Sequence, residues 1–408
     1  MQRVRMSLPY FRQFGWNPEV LCVDAKYADI NEDSLLITSV PADIVIHKVK
    51  ALPKKLTMKL GLGSIGLRSL WYYKKKGNRL LQDKQYDLIY FSTTQFPVCI
   101  LGAYWKKRFD IPYVIDIQDP WHSDYYQDKP ESERPAKYWF SYRINRYMEP
   151  IAVKNTSGLI GVSGKYITDL KERYSVIANI PAATIPFGAF EADLQIAADN
   201  SAKFSPLLKP GFKNIVYIGR GGNDMRQALT LLFAAIKEGL NKNFPLFHKL
   251  RFYFIGTSYA REGKGTPTIM PLAETFGITE YVVELTDRIS YYHTLITLQA
   301  ADALLIPGSD DPSYNPSKIY PYLLMQKPLL AIFNEASPAI TILQEFGVKH
   351  VYNYDNATPY ALNSFFENIA NGEALAGPYD PAAVHKYSAA QMTLSQCELF
   401  DTVINGQN

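Results

Sequence analysis

Cysteine is scarce: Cys22, Cys99 and Cys397 are the only three in 408 residues, and none stands in a CxxC spacing. That excludes a disulfide framework or a cysteine-built zinc cage and predicts a reducing, cytosolic setting. His47, His248, His293, His350 and His385 lack metal-ligand spacing, and there is no HExxH motif, so no metal site is expected. No uninterrupted apolar run approaches the ~18 residues of a spanning helix. The opening stretch MQRVRMSLPYFRQFG has no apolar core long enough for a secretory signal. Walker A and GxGxxG fingerprints are also missing, and Ser163, in GVSG, has the wrong spacing for a hydrolase elbow.

What is present is a chain long enough for two domains, 47% apolar and 20% charged, which excludes a disordered protein. Its net charge of +4 is unevenly spread. Lys48, Lys50, Lys54, Lys55, Lys59, Arg68, Lys74, Lys75, Lys76 and Arg79 fall in one stretch without an acid, leaving 33 basic against 39 acidic residues elsewhere. Leu52, Leu56, Leu60, Leu70, Trp71, Tyr72 and Tyr73 are interleaved with them. Basic, apolar and aromatic residues together are a membrane-interface composition, so residues 48–79 are expected to face an anionic membrane surface. No nucleic-acid-binding signature accompanies them.

Strand-length apolar runs alternate with helical patterns, the mark of parallel α/β sheets. The first set has strands at 19–23, 44–49, 88–91, 113–117, 158–162 and 183–186, with helices at 67–81, 96–108, 136–153 and 165–173. A second set has strands at 214–218, 251–255, 282–285, 303–306 and 329–332, and a terminal helix is expected over 389–403. The fold predicted is two doubly wound, Rossmann-like domains facing a cleft: 1–188, a linker at 189–212 broken by Pro206 and Pro210, a second domain at 213–388, and a closing helix at 389–408. The first domain lacks its opening strand. Residues 2–14 read instead as a helix, with Leu8, Phe11 and Phe14 on one face and Gly15 as the stop. This predicts either a native start roughly 15–20 residues upstream or a domain that has rebuilt its sheet without that strand.

Two stretches of the second domain suit an anion. In IVYIGRGGNDMRQA, Gly219, Gly221 and Gly222 form a strand-to-helix turn bracketed by Arg220 and Arg226. In DDPSYNPSKIYPYLLMQKPLLA, a helix is expected with Ser317 as N-cap and Lys318 in its first turn, where free N–H groups favour an anion. Two guanidinium forks and an ammonium match a diphosphate. In the first domain Asp116, Asp119, Trp121 and His122 follow a strand, offering carboxylates and planar rings to a sugar. Asp287 and Arg288 read as a local ion pair.

These motifs resemble the family-4 retaining glycosyltransferases of the two-domain GT-B architecture. There, an Arg after a strand-terminal Gly and a basic residue six positions later hold the donor diphosphate, the spacing of Arg220 and Arg226. The family's "(P)SK-aromatic-E-Y-L…G-K-P" signature reads here Pro316-Ser317-Lys318-Ile319-Tyr320-Pro321-Tyr322-Leu323 and then Gln326-Lys327-Pro328. Asp116-Ile117-Gln118-Asp119-Pro120-Trp121 resembles a subgroup's "D-x-R-D-P-W", with Gln118 for Arg. Two positions depart. Pro321 stands where the family has the ribose-holding glutamate, and Ser313 stands where it has the sugar-touching one. Asp310 and Asp311 are the acids nearest that gap.

The resemblance implies transfer of a hexose from a UDP- or GDP-linked sugar, used as co-substrate without a further cofactor or a metal. The acceptor would be a glycan or lipid-linked molecule in cell-surface polysaccharide or glycolipid synthesis, at the inner face of the membrane. Gly219, Arg220, Arg226, Ser317 and Lys318 would hold the diphosphate, and Asp310, Asp311, Ser313 and Tyr320 the sugar and nucleoside. His122 and Asp119 would serve catalysis, and Asp116 and Trp121 the acceptor. Two alternatives stay open: a GT-B scaffold whose donor site is eroded at Pro321, and a sugar-nucleotide epimerase.

Overall fold

The computed structural model describes residues 2–28, 33–57, 63–122, 124, 127, 130, 131, 134, 138–312, 314–373 and 379–406. The chain divides into two compact units, Met1–Phe187 with Ala389–Asn408, and Gly188–Ser388. Among the described residues no helix is long and apolar enough to cross a membrane.

The second unit is built on six parallel strands: β7 (Lys213–Ile218), β8 (Leu250–Ile255), β9 (Val282–Leu285), β10 (Ala303–Pro307), β11 (Leu329–Phe333) and β12 (His350–Asn353), in the order β12-β11-β10-β7-β8-β9. Helices cover both faces, so inner strands such as LLAIF and LRFYFI are buried at every position, and Arg251 is the one charged residue in these two runs. Chain order reverses between β7 and β10. In an open α/β sheet that switch point is where loops diverge and leave a crevice for a ligand. Strand β12, HVYN, is an edge strand of mixed polarity, half-buried along its length, and its weak apolar pattern hid it in the sequence.

Residues 189–212 are not a free linker. Ala189 pairs with Ser388, and helix Ala192–Asp199 packs within the second unit. Asp193, fully buried, accepts hydrogen bonds from the hydroxyls of Tyr291 and Tyr292, each at 2.9 Å. The stretch looks like a linker in sequence because its few buried residues, Ala189, Phe190, Asp193 and Ala197, form no regular apolar pattern and one of them is charged.

The first unit has a four-stranded parallel sheet, β3 (Ile89–Ser92), β4 (Tyr113–Ile117), β5 (Gly158–Gly161) and β6 (Ala182–Thr184), in that order, and a separate parallel pair, β1 (Glu19–Val23) with β2 (Val45–Val49). The doubly wound order 3-2-1-4-5-6 places one strand between the elements that are here β1 and β3. Among the described residues no strand stands there, and the sheet is split at that point. Glu19 ties the two pieces instead: its carboxylate pairs with Lys84 and accepts from Tyr86 Oη at 2.8 Å, just before β3. Residues 2–14 form helix only over Gln2–Ser7. Pro9 disfavours helical continuation, and a 3₁₀ turn, Phe11–Phe14, follows before Gly15. Helix Ala389–Asn405 belongs to this unit, where Phe400 stacks on Phe11 and Gln396 donates to Ser7 Oγ at 3.0 Å.

Candidate functional site

The site forms at the carboxyl ends of β7 and β10, on either side of the switch point. Lys318 precedes the short helix Ile319–Leu324 and turns its ammonium onto the β7 exit. Its Nζ donates to Tyr217 Oη at 2.7 Å and lies 4.4 Å from the Tyr217 ring centroid. Tyr217 Oη in turn donates to the Arg220 carbonyl at 2.8 Å. Gly219 makes this approach possible, because a Cβ there would collide with the Lys318 ammonium. Burial, together with nearby Arg220 and Arg288, pushes the Lys318 pKa down to about 7, against the opposing pull of Asp224.

Arg220 is held by a fork. Its Nη1 and Nη2 donate to the two oxygens of Asp224 at 2.8 and 2.6 Å, and its guanidinium lies 5.6 Å from the Tyr314 ring centroid. Despite burial, Asp224 stays below the ordinary carboxylate range because Arg220 and Ser309 donate to it. Arg226 opens helix Arg226–Lys242, is exposed, and makes no ion pair among the described residues.

Arg288 is a cation that sequence reasoning placed wrongly. Its neighbour Asp287 instead accepts from the Gly263 N–H at 2.9 Å. Arg288 lies 4.6 Å from the ring of Tyr259 and close enough to lower the Lys318 pKa. Its position after β9 was legible, but its approach to Lys318 depends on three strand ends meeting.

Several expected residues take other roles. Ser317 is exposed and is not the N-cap: Lys318 occupies that place, in helical geometry and without a side-chain cap bond. Tyr320 is 1% exposed and packs near Tyr387, so its ring supports the loop from beneath and does not face a ligand. Asp310 and Asp311 belong to a turn: Asp310 N–H donates to the Asp224 carbonyl at 2.7 Å and Asp311 N–H to Ser309 Oγ at 3.2 Å. Ser313 lies outside the described residues.

The first-unit stretch is divided between a buried hub and an open loop. Asp116, expected to meet an acceptor, is fully buried. Its Oδ2 forms an ion pair with Arg3 Nε at 2.8 Å and accepts from Ser92 Oγ at 2.7 Å and Gln118 Nε2 at 2.6 Å. Trp121 is also internal, stacked on Phe96 with centroids 5.3 Å apart, its Nε1 donating to Asn145 at 3.2 Å. Both residues are therefore structural. A strand-end carboxylate and an indole read alike in sequence whether they face a ligand or the core.

Asp119 is exposed. His122 is half-buried, 4.7 Å from Tyr142 between ring centroids, and burial lowers its pKa. Its Nε2 has no partner among the described residues. Its backbone is anchored: the N–H donates to Glu149 Oε2 at 2.9 Å, and the carbonyl accepts from Arg173 at 3.2 Å.

No protein-family profile and no curated protein sequence matches the chain. Solved structures do, and they show the two-domain GT-B fold. Anabaena Alr3699/HepE in complex with UDP and glucose aligns over 98% of this chain and 94% of its own, at 15% identity and TM-score 0.56. A UDP-forming α,α-trehalose-phosphate synthase from Burkholderia xenovorans in complex with glucose-6-phosphate aligns over 88% of this chain and 87% of its own, at 10% identity and TM-score 0.52.

Proposed function

We propose that this protein is a retaining glycosyltransferase that moves a hexose from a UDP- or GDP-linked sugar to a glycan or lipid-linked acceptor. The observation that carries this reading is the Lys318 ammonium turned onto Gly219 beside Arg220 at the switch point, with Arg288, which lies against Gly256, adding positive charge to the same strand ends. A sugar nucleotide reacts by losing a diphosphate, and cations already in place where that charge develops lower the barrier without a divalent ion. Arg226, exposed at the start of its helix, adds a fourth donor for the same anion. In the first unit His122, whose pKa burial lowers, offers a hydrogen-bonding ring of the kind a sugar needs, and Asp119 an exposed carboxylate. The neighbours support this: one was solved with UDP and glucose, another with glucose-6-phosphate. Membrane-associated polysaccharide or glycolipid synthesis on the cytoplasmic side is the setting that fits the basic segment.

The test is a titration of UDP, GDP and ADP followed by thermal stability. A ligand at 100 Kd is expected to add about 2.7 kcal/mol, and Arg220→Ala to remove that gain. If none of the three nucleotides stabilises the wild type, the transferase reading fails. Gly219→Ala is expected to weaken nucleotide binding roughly 10- to 100-fold, the effect of one charge-assisted contact. The added methyl also meets the held Lys318 ammonium, and Gly219 has φ +159°, a conformation that L residues rarely adopt, so the melting temperature without nucleotide should fall as well and affinity is measured below it.

The second reading, a nucleotide-binding scaffold, is favoured by Pro321 in the first helical turn and by Arg220 already being neutralised by Asp224. Product analysis with labelled UDP- and GDP-sugars separates it from transfer. Epimerised donor in place of transferred sugar would mark the epimerase.

A further inference from the structure

The helical layer of the first unit carries a surface that the donor chemistry does not use. Helices Ile65–Asp83, Ile100–Phe109 and Tyr138–Val153 contain ten Lys and Arg residues against two acids, Asp83 and Glu149. Glu149 is 1% exposed and bound by Arg173, and Asp83 is paired with Arg79. The outward face of these helices is therefore cationic.

An open groove of about 760 Å³ lies between them. Its walls include Leu70, Ile100, Leu101, Ala103 and Ile151, with Lys74 and Lys107 at its edge. Around it stand large apolar side chains that the fold leaves uncovered: Trp71 is 61% exposed, Trp139 63% and Tyr147 74%. Trp139, Arg143, Tyr147 and Ile151 follow one another at i, i+4 and so form one stripe ending at the groove. Cations lie over the rings. Lys74 Nζ is 4.2 Å from the Tyr104 centroid, Lys75 Nζ 5.3 Å from that of Trp71, and the Arg143 guanidinium 5.4 Å from that of Trp139.

An exposed apolar patch of this size rimmed by cations marks an interaction surface. The chemistry of the groove selects the partner. Nucleic-acid bases need stacking faces and hydrogen-bonding edges inside a basic channel, whereas these walls are largely aliphatic and suit an acyl chain. Trp and Tyr at the rim match the headgroup depth of a bilayer, and clustered Lys and Arg match its anionic surface. We infer that the three-helix face docks on an anionic lipid bilayer, with Trp71, Trp139 and Tyr147 at headgroup level and an acyl chain against the groove. This refines the membrane-facing part of the functional reading. It moves the contact from the whole of residues 48–79 to the segment around Trp71–Lys75 and two later helices, and it is independent of donor chemistry.

The test is flotation of the full chain with phosphatidylcholine vesicles, with and without 30% phosphatidylglycerol. Binding is expected only with the anionic lipid, falling as salt rises. Lys74→Glu/Lys107→Glu should weaken it by at least ~25-fold, at roughly fivefold per cation lost, and Trp71→Ala should weaken it further. Lys48→Glu/Lys50→Glu changes the net charge equally at exposed positions outside the groove and should stay within about threefold of wild type. Absence of binding to anionic vesicles overturns the inference, as does equal loss in both double variants. Binding of poly(U) in place of vesicles, with the same dependence on Trp71 and Lys74, also overturns it. UDP-induced stabilisation measured on the same preparations keeps a failure of docking distinct from a failure of the transferase reading.

Discussion

Asp116→Ala is expected to destabilise the first unit by about 3–5 kcal/mol, the usual cost of stranding a buried charge. The ion pair of Arg3 with Asp116 is wholly enclosed. Without the carboxylate, the Arg3 guanidinium keeps only the carbonyls of Ile185 at 2.7 Å and Pro186 at 3.1 Å, and the face of Phe187 at 4.9 Å. Ser92 and Gln118 lose their shared acceptor as well. At about 2–4 °C per kcal/mol for a unit of this size, calorimetry should show the first-unit transition lowered by roughly 6–20 °C and the second-unit transition unmoved. Arg3→Met/Asp116→Ala should recover part of the loss, since removing both partners leaves no unpaired charge. A first-unit transition unchanged in Asp116→Ala would show that the pair is not a stabilising hub.

The affinity for a nucleoside diphosphate is expected to fall steeply above pH 7. Lys318 has its pKa depressed to about 7, chiefly by burial and then by Arg220 and Arg288. Below that pH it meets the anion as an ammonium. Above it, the free protein carries an amine there, so binding must take up a proton, and affinity drops by up to roughly tenfold per pH unit until the pKa in the complex is reached. Titration calorimetry at pH 8 in two buffers of different ionisation enthalpy should report an uptake approaching one proton. Lys318→Met should bind more weakly at pH 7 and lose the slope. A flat affinity between pH 7 and 9 in the wild type would remove Lys318 from the anion site. The sign for stability is opposite. The unfolded chain holds this proton up to the ordinary lysine range, so the cost of the buried ammonium is present below pH 7 and is relieved as pH rises towards 10.5.

Much of this was legible in the chain. The buried strands of the second unit announced themselves because both faces are covered and nearly every residue is apolar, Arg251 excepted. The cradle at Gly219, Arg220 and Lys318 was legible because a glycine turn and two cations at strand exits are local features. The helix expected over 2–14 was cut short by a single proline, and the expected linker proved to be folded around Asp193. The acceptor roles given to Asp116 and Trp121 failed because a polar residue at a strand end looks the same in sequence whether it turns outward or inward.

The sequence by itself determined the two α/β units, the helix-first opening of the first one, and the glycine turn and cations at the strand exits of the second, since all three follow from periodicity and local turn chemistry. Only the tertiary structure decided which charges meet. It set Arg288 near Lys318, paired Arg220 with Asp224, buried Asp116 on Arg3 and left Trp71, Trp139 and Tyr147 exposed around one groove. Except for the i,i+4 pair Arg220–Asp224, these meetings join residues distant in the chain, and their energies depend on burial, which a linear pattern does not encode.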